Sequence, residues 1–256
     1  MKIFPIMFTA SCLILTSCST EEQINSAENT KVSASGNQVQ AEQTSNNKEA
    51  SPDDYNREVL TDIRNELKIK DTVLPQSFPV QSGNYLGAHI EENTEDGYSV
   101  HFYESVSEES NQAGEPLAEF TAARMDNNED NSMFPAFNEK DIPEDMAVDL
   151  GYGINGLLEG AAGSTYLQWK EGRWVLQIKA VSADNRDLKA DGIRIVEYLE
   201  EHALPVPHDD GRVEVSYPGG ENNAEIRILW EDESILYTLS TIGEPVDGLK
   251  MAVSVE

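Results

Sequence analysis

Cysteine is almost absent from this 256-residue sequence, which holds only Cys12 and Cys18, both near its start. No disulfide can therefore form within the rest of the chain, and no cysteine is present there to complete a zinc site. The fold of that part must depend on its apolar core.

Basic residues are also scarce. The chain has 18 Lys and Arg against 47 Asp and Glu, a net charge of −29, and from residue 53 onward the balance is 15 against 42. Such a surface repels phosphate backbones and anionic headgroups, so we exclude nucleic acid as a partner. The acids are spread along the chain, which favours a role in solubility over a single site for a cation or a basic partner.

One extended apolar run occurs, from Ile3 to Leu15, and its thirteen residues are too few to span a bilayer. Lys2 precedes the run, and the small residues Thr16 and Ser17 follow it. This order of basic residue, apolar segment and small residues is typical of a signal peptide.

Leu15-Thr16-Ser17-Cys18 resembles the lipobox of bacterial lipoproteins. The resemblance implies that residues 1–17 are a lipoprotein signal peptide, and that Cys18 becomes the lipidated N-terminus of a protein held on the outer side of the cell membrane. The cysteine-free body favours a Gram-positive-type envelope.

The rest of the chain divides into a tether and a body. Residues 18–52 are rich in Ser, Asn, Gln, Glu and Thr and contain no aromatic residue, which predicts a disordered tether. Residues 53–256 are long enough for one sizeable core or for two lobes, 53–150 and 151–256. We predict an acidic, globular α+β body.

The first half of the body shows one helix and three strands. Ser51 and Pro52 are a good helix start, and apolar residues recur at helical spacing until the chain breaks near Asp71. Alternation predicts strands over 85–91, 98–105 and 117–125, paired as an antiparallel meander.

The second half contains a weak internal repeat at an offset of 61 residues. LQWKEGRWVLQI (167–178) aligns with ILWEDESILYTL (228–239), so that Trp169 matches Trp230. Each copy reads as strand, charged turn, strand and helix, and the first helix should run from Leu188 to Ala203 after an Asp184 or Asn185 cap. We therefore expect an α+β fold of antiparallel sheet, with helices on one side and two β-β-α units.

The last thirty residues are similar to a C-terminal module of unknown function found in some Gram-positive lipoproteins and anti-sigma-factor-like membrane proteins. Trp230, Tyr237 and the segment Leu249 to Ser254 carry this resemblance. That family has no assigned catalytic residues, so the resemblance implies no mechanism.

Two motifs match binding signatures only formally. Gly151 to Gly156 fits G-x-G-x-x-G, but the following LLEGAAGS is broken by glycines, which predicts an irregular segment and no dinucleotide site. Asp126, Asn128 and Asp130 imitate the start of an EF-hand loop, yet Asn131 and Phe137 occupy the positions that need Gly and Glu. A solvated acidic loop is favoured, and a looser Ca²⁺ site from these three residues stays open.

The four histidines form none of the usual metal motifs. His89 and His101 flank the first predicted turn and could face each other, although this pattern favours two half-buried strand residues. Six aromatic residues at strand spacing favour a core over a ligand groove. They are Tyr85, Tyr98, Tyr103, Trp169, Trp174 and Trp230.

We expect a lipid-anchored, extracytoplasmic surface protein. The sequence favours a non-catalytic binding or envelope-assembly module over an enzyme. Its partners would be the membrane, through the lipid, and an envelope protein, peptide or glycan. No cofactor other than the Ca²⁺ mentioned above is expected. Two alternatives stay open: a metal-assisted hydrolase of the envelope that uses the acidic loop, and an acidic protein that buffers cations.

Overall fold

The computed structural model describes residues 51–69, 72–107, 115–125 and 137–256. The described residues from Ser51 to Glu256 form one compact unit. Within the described residues the fold is a mostly-sheet α+β fold with ten strands and three α-helices. In chain order these are α1 (Pro52–Glu66), β1 (Tyr85–Asn93), β2 (Gly97–Ser105), β3 (Ala118–Arg124), β4 (Ala147–Asp149), β5 (Asn155–Ala161), β6 (Ser164–Glu171), β7 (Trp174–Val181), α2 (Leu188–Glu201), β8 (Gly211–Tyr217), β9 (Ala224–Asp232), β10 (Ile235–Gly243) and α3 (Pro245–Val253).

The predicted first helix is confirmed. The Ser51 side chain accepts a hydrogen bond from the Asp54 amide at 3.3 Å, and Pro52 occupies the first turn, where its missing N–H leaves no intrahelical bond unmade. Leu60 and Ile63 are the buried residues of this helix.

All ten strands join one sheet in the order β1-β2-β3-β10-β9-β8-β7-β6-β5-β4. The predicted meander of β1, β2 and β3 is confirmed. β3 also pairs with β10, which joins the meander to the strands of the C-terminal half. β7 and β8 run parallel, so the prediction of a purely antiparallel sheet is wrong at this pair. The chain returns from the end of β7 through α2, and such a crossover is what a parallel pair requires.

One face of the sheet is apolar, and we call it the apolar face. Cross-strand partners share a face, and the pairs Val100–Phe120, Phe120–Leu239 and Leu239–Ile228 carry buried side chains from β2 to β9. Tyr237 stacks between Phe120 and Trp230, with ring centroids 6.1 and 5.3 Å away. The prediction that six aromatic residues form core is confirmed for Tyr98, Tyr103 and the three tryptophans, which are buried, whereas Tyr85 is half-buried.

The second and third helices contact the strands through glycine. A Cβ on Gly192 of α2 would lie 2.8 Å from Leu167 of β6, and a Cβ on Gly248 of α3 would lie 2.9 Å from Ile226 of β9. Contacts this short require glycine, so both helices lie closer to the strands than a larger residue would allow.

The cap of α2 differs from the prediction. Asp187 caps the helix, and its carboxylate accepts a hydrogen bond from the Ala190 amide at 3.1 Å. Asp184 ends a short 3-10 turn, and Asn185 follows in the left-handed conformation with φ of 50°. The predicted cap is wrong because this extra turn shifts the start of the helix.

Candidate functional site

The face of the sheet opposite the apolar face carries polar side chains, and we call it the polar face. Neighbouring strands are about 4.8 Å apart, so residues in register form a straight row across the sheet. One such row crosses eight strands. It consists of His89, His101, Glu119, Ser240, Arg227, Glu214, Gln177 and Gln168.

A groove of about 640 Å³ follows part of this row from β2 to β8. Four carboxylates line it, those of Glu115, Glu119, Glu214 and Glu225, together with the single guanidinium of Arg227. We call this cavity the acidic groove. Its volume lies in the range of small-molecule and peptide side-chain pockets, and its excess of carboxylates favours a cationic ligand.

Arg212 partly balances this charge from beside the groove. Its Nε donates to the Glu214 carboxylate at 2.6 Å, and its Nη2 donates to the Gln177 side chain at 3.3 Å. Val175 and Leu229 flank it in register, and all three residues are buried. Its Nη1 is buried and has no hydrogen-bond partner within the described ranges. Glu214 is therefore held by a fixed guanidinium, and the other groove carboxylates carry most of the unbalanced charge.

A cluster of two histidines and two glutamates lies where the groove meets the edge of the sheet. His89 and His101 are direct cross-strand partners, as the sequence suggested they could be. The Glu91 carboxylate lies 3.7 Å from His89 Nε2 and 3.5 Å from His101 Nδ1. The Glu119 carboxylate lies 3.7 Å from His101 Nε2. We call these four residues the histidine cluster.

β1 has an irregularity next to the histidine cluster. The register with β2 shifts between Ile90 and Glu92, so Glu91 is an extra residue in the strand. His89 and Glu91 are two positions apart, so strand alternation places them on the same side while Ile90 packs against the core. The sequence did not reveal the bulge.

A second cavity, of about 350 Å³, is lined by the turn between β6 and β7, the end of α2 and the segment that follows α2. Its walls include Trp174, Leu199 and Leu204. Glu171 is its acidic group, and its carboxylate accepts a hydrogen bond from the Trp169 indole at 2.7 Å. Burial raises the pKa of Glu171 to about 7, although the Trp169 hydrogen bond opposes this, and the negative charge of Glu200 adds to the rise. The carboxyl is therefore poised to change its charge near neutral pH.

The sites that the sequence suggested have different outcomes. Cys18 and the loop residues Asp126, Asn128 and Asp130 lie outside the described residues. The glycine-rich segment 151–156 forms a turn that leads into β5, with no helix after it, as expected. Neither the acidic groove nor the cavity at Glu171 was predicted, because each is assembled from strands or loops that are distant in the sequence.

Comparison with protein families, with curated proteins and with solved structures finds no match to this chain. Over the ranges that the structure describes, no helix is long and apolar enough to cross a membrane. In the same ranges, no group of three or more His, Cys, Asp and Glu residues is placed so that it could hold a metal ion.

Proposed function

We propose that this protein is a lipid-anchored, extracytoplasmic binding protein without catalytic activity, and that its acidic groove takes a basic peptide segment. The single observation that carries this proposal is the groove, in which four carboxylates face one lining guanidinium on the polar face. Lys and Arg side chains of a partner are the groups that such a surface attracts.

The overall charge supports the same ligand. The body carries far more acids than bases, so its field steers cationic partners toward the surface and repels anionic ones. The row across the sheet adds Ser240 beside Glu119 and Arg227, which supplies hydrogen-bonding groups next to charged ones. A peptide laid along the row would meet the hydroxyl of Ser240 between the charges of Glu119 and Arg227.

The test is the binding of a fluorescent lysine-rich peptide, compared with a glutamate-rich peptide of the same length. We expect the double variant Glu119→Gln/Glu225→Gln to bind the lysine-rich peptide about tenfold more weakly, since each neutral change removes about 0.5 to 1 kcal/mol of attraction at a solvated site. The control is Glu197→Gln/Glu201→Gln, which removes two exposed carboxylates from α2. Equal losses in the two double variants, or equal binding of both peptides, would contradict the proposal.

The lipid anchor is proposed on the lipobox alone. Cys18→Ala should release the protein from the membrane fraction, and globomycin should cause the uncut precursor to accumulate. Membrane attachment that survives both treatments would contradict the anchor.

We also propose that the three helices lie on one side of the sheet and that the C-terminal half is built from two β-β-α units. The supporting contacts are those of Gly192 with Leu167 and of Gly248 with Ile226, because the register places Leu167 and Ile226 on the same face. In each unit a glycine of the helix contacts the first strand of the preceding hairpin. Hydrogen exchange should therefore protect β6 and β9 alike, and a Gly248→Ala change should weaken protection in β9 first.

A further inference from the structure

We propose that the cavity at Glu171 binds a small organic amine, in which a compact apolar body carries one ammonium group. The cavity measures about 350 Å³, which is at the small end of the range for ligand pockets. No described residue lines both this cavity and the acidic groove. The inference is therefore independent of the basic peptide that we propose for the groove.

The walls of the cavity are mostly apolar. Val206 is 77% exposed and forms an apolar rim that faces solvent. Such walls favour a ligand with an apolar body over a hydrated inorganic ion, because the gain comes from apolar surface removed from water. The apolar lining residues are Trp174, Leu199, Ala203, Leu204, Pro205, Val206 and Pro207.

Three hydrogen bonds hold these walls in place. Trp174 Nε1 donates to the Pro205 carbonyl at 3.1 Å, and Arg173 Nη1 donates to the carbonyls of Pro207 and His208 at 2.8 and 2.9 Å. These contacts join the turn between β6 and β7 to the segment that follows α2. The two sides of the cavity are therefore tied together without a ligand, which lowers the entropy lost on binding.

Glu171 is the one acidic group among the described residues that line the cavity. Its Oε1 accepts a hydrogen bond from the indole of Trp169, which is fully buried, so the carboxylate has a fixed orientation. Within the described ranges, Oε2 makes no hydrogen bond, and no basic side chain forms an ion pair with this carboxylate. An ammonium group in the cavity would give Glu171 that charge-assisted hydrogen bond.

The basic residues next to Glu171 in the chain are engaged elsewhere. Arg173 donates to the two backbone carbonyls named above, and Lys170 pairs with Asp210 at 3.1 Å. The wall segment 203–207 contains no charged residue. The negative charge of Glu171 is therefore left for a ligand to balance.

The end of α2 adds no positive partner for Glu171. Burial is the main cause of the raised pKa of Glu171, about 7, and the negative charge of Glu200 adds to it. His202 also lines the cavity, and its Nδ1 donates to the Tyr198 carbonyl at 3.0 Å. A bound ammonium group would lower the pKa of Glu171, because a neighbouring positive charge favours the carboxylate.

The experiment is isothermal titration of the purified full-length chain in detergent, with micelles alone as the blank. It is run at about pH 8 and about 0.15 M salt, where screening weakens the attraction of distant charges. The probe is phenethylammonium. The comparison compounds 2-phenylethanol and 3-phenylpropionate keep the apolar body and replace the ammonium group by a hydroxyl or a carboxylate. We expect the amine to bind about tenfold more tightly than the alcohol, and the carboxylate to bind most weakly.

Variants assign this preference to Glu171. Glu171→Gln should abolish the preference for the amine and leave the affinity for the alcohol unchanged. The matched control is Glu119→Gln/Glu225→Gln, which removes two carboxylates of the acidic groove and should keep the preference. Val206→Ala should weaken the amine and the alcohol by the same factor, about twofold, since it removes apolar contact only. Thermal unfolding checks that each variant is folded.

Protonation of Glu171 gives a second readout. The amine should bind about tenfold more weakly at about pH 5.5 than at about pH 8, because Glu171 becomes neutral below its pKa while the amine stays charged. The alcohol should show no such dependence, and neither should the amine with Glu171→Gln. His202→Gln should keep the dependence, which separates the carboxyl from the neighbouring imidazole.

The proposal is overturned if none of the three compounds binds, if the amine and the alcohol bind equally, or if the carboxylate binds most tightly. It is also overturned if Glu119→Gln/Glu225→Gln loses the preference as Glu171→Gln does. The lysine-rich peptide should not displace the amine, and displacement would overturn the assignment of this cavity to a small amine. Failure of the peptide to bind the acidic groove does not change the expected titrations, so the two proposals fail separately.

Discussion

The two faces of the sheet are made by the same strands but differ in burial and in the side chains they carry. In β3, Phe120 is fully buried on the apolar face, while its neighbours Glu119 and Thr121 lie half-buried on the polar face. Successive side chains of a strand point to opposite sides, so neighbouring positions in one strand can be divided between stability and binding. The apolar face should therefore resist substitution, and the polar face should tolerate it.

The largest expected effect tests this contrast inside β3. Phe120→Ala removes a ring that contacts Tyr98, Trp230 and Tyr237, and it should lower the free energy of unfolding by about 3 to 5 kcal/mol. Thr121→Ala, one residue further along, should change it by less than about 0.5 kcal/mol. Denaturant unfolding of both variants measures the difference, and similar losses would remove the distinction between the faces.

A smaller effect tests how tightly the apolar face is packed. A Cβ added at Gly211 would lie 2.6 to 2.7 Å from three atoms of the buried Trp174 ring, whereas one added at Gly160 would meet nothing within 4 Å. We expect Gly211→Ala to lower the free energy of unfolding by about 1 to 3 kcal/mol, because the rigid ring must shift. Gly160→Ala is the matched control in a strand, and its midpoint of thermal unfolding should equal that of the unchanged protein. Equal stability of the two variants would mean that the ring moves freely.

The smallest effect concerns Glu171, an acid that sits on the apolar face beside Trp174. Its folded pKa of about 7 lies above the value near 4.5 of an exposed glutamate, so the folded state binds more protons between these limits. The free energy of unfolding should therefore fall as the pH rises through this window and then stay level.

Glu171→Gln should abolish this decrease of the free energy of unfolding with pH. At about pH 8 we expect the variant to be more stable than the unchanged protein by about 1 to 2 kcal/mol, a value reduced for the solvent that still reaches the carboxyl, and at about pH 4 we expect no difference. Glu197→Gln, an exposed change on α2, should show no such pH dependence. A constant difference between Glu171→Gln and the unchanged protein at every pH would show that the carboxyl does not titrate in this range.

The sequence predicts the local elements of this fold better than their assembly. The Ser51-Pro52 helix start and the three strands between residues 85 and 125 follow from capping and alternation, which act over a few neighbouring residues. β4, β5 and β8 are not among the predicted strands. The parallel pairing of β7 with β8 depends on the crossover through α2, and the order of ten strands is set by burial between distant segments, which no local pattern records.

The candidate sites divide in the same way. The facing of His89 and His101 could be anticipated, because one turn separates their strands. The acidic groove could not, since Glu119 and Glu214 come from strands far apart in the sequence and meet only through β9 and β10. The bulge is not evident in the sequence, because Glu91 and Glu92 are chemically identical and only the register shows that one of them is an extra residue.

That bulge also bears on how the molecule stays separate from its neighbours. β1 forms one end of the sheet, and an end strand offers unpaired backbone groups on which another chain can add a strand. An extra residue at Glu91 breaks the even spacing of those groups and places a negative charge beside the gap. The single inserted residue thus disfavours the pairing of two copies of the protein through their β1 edges.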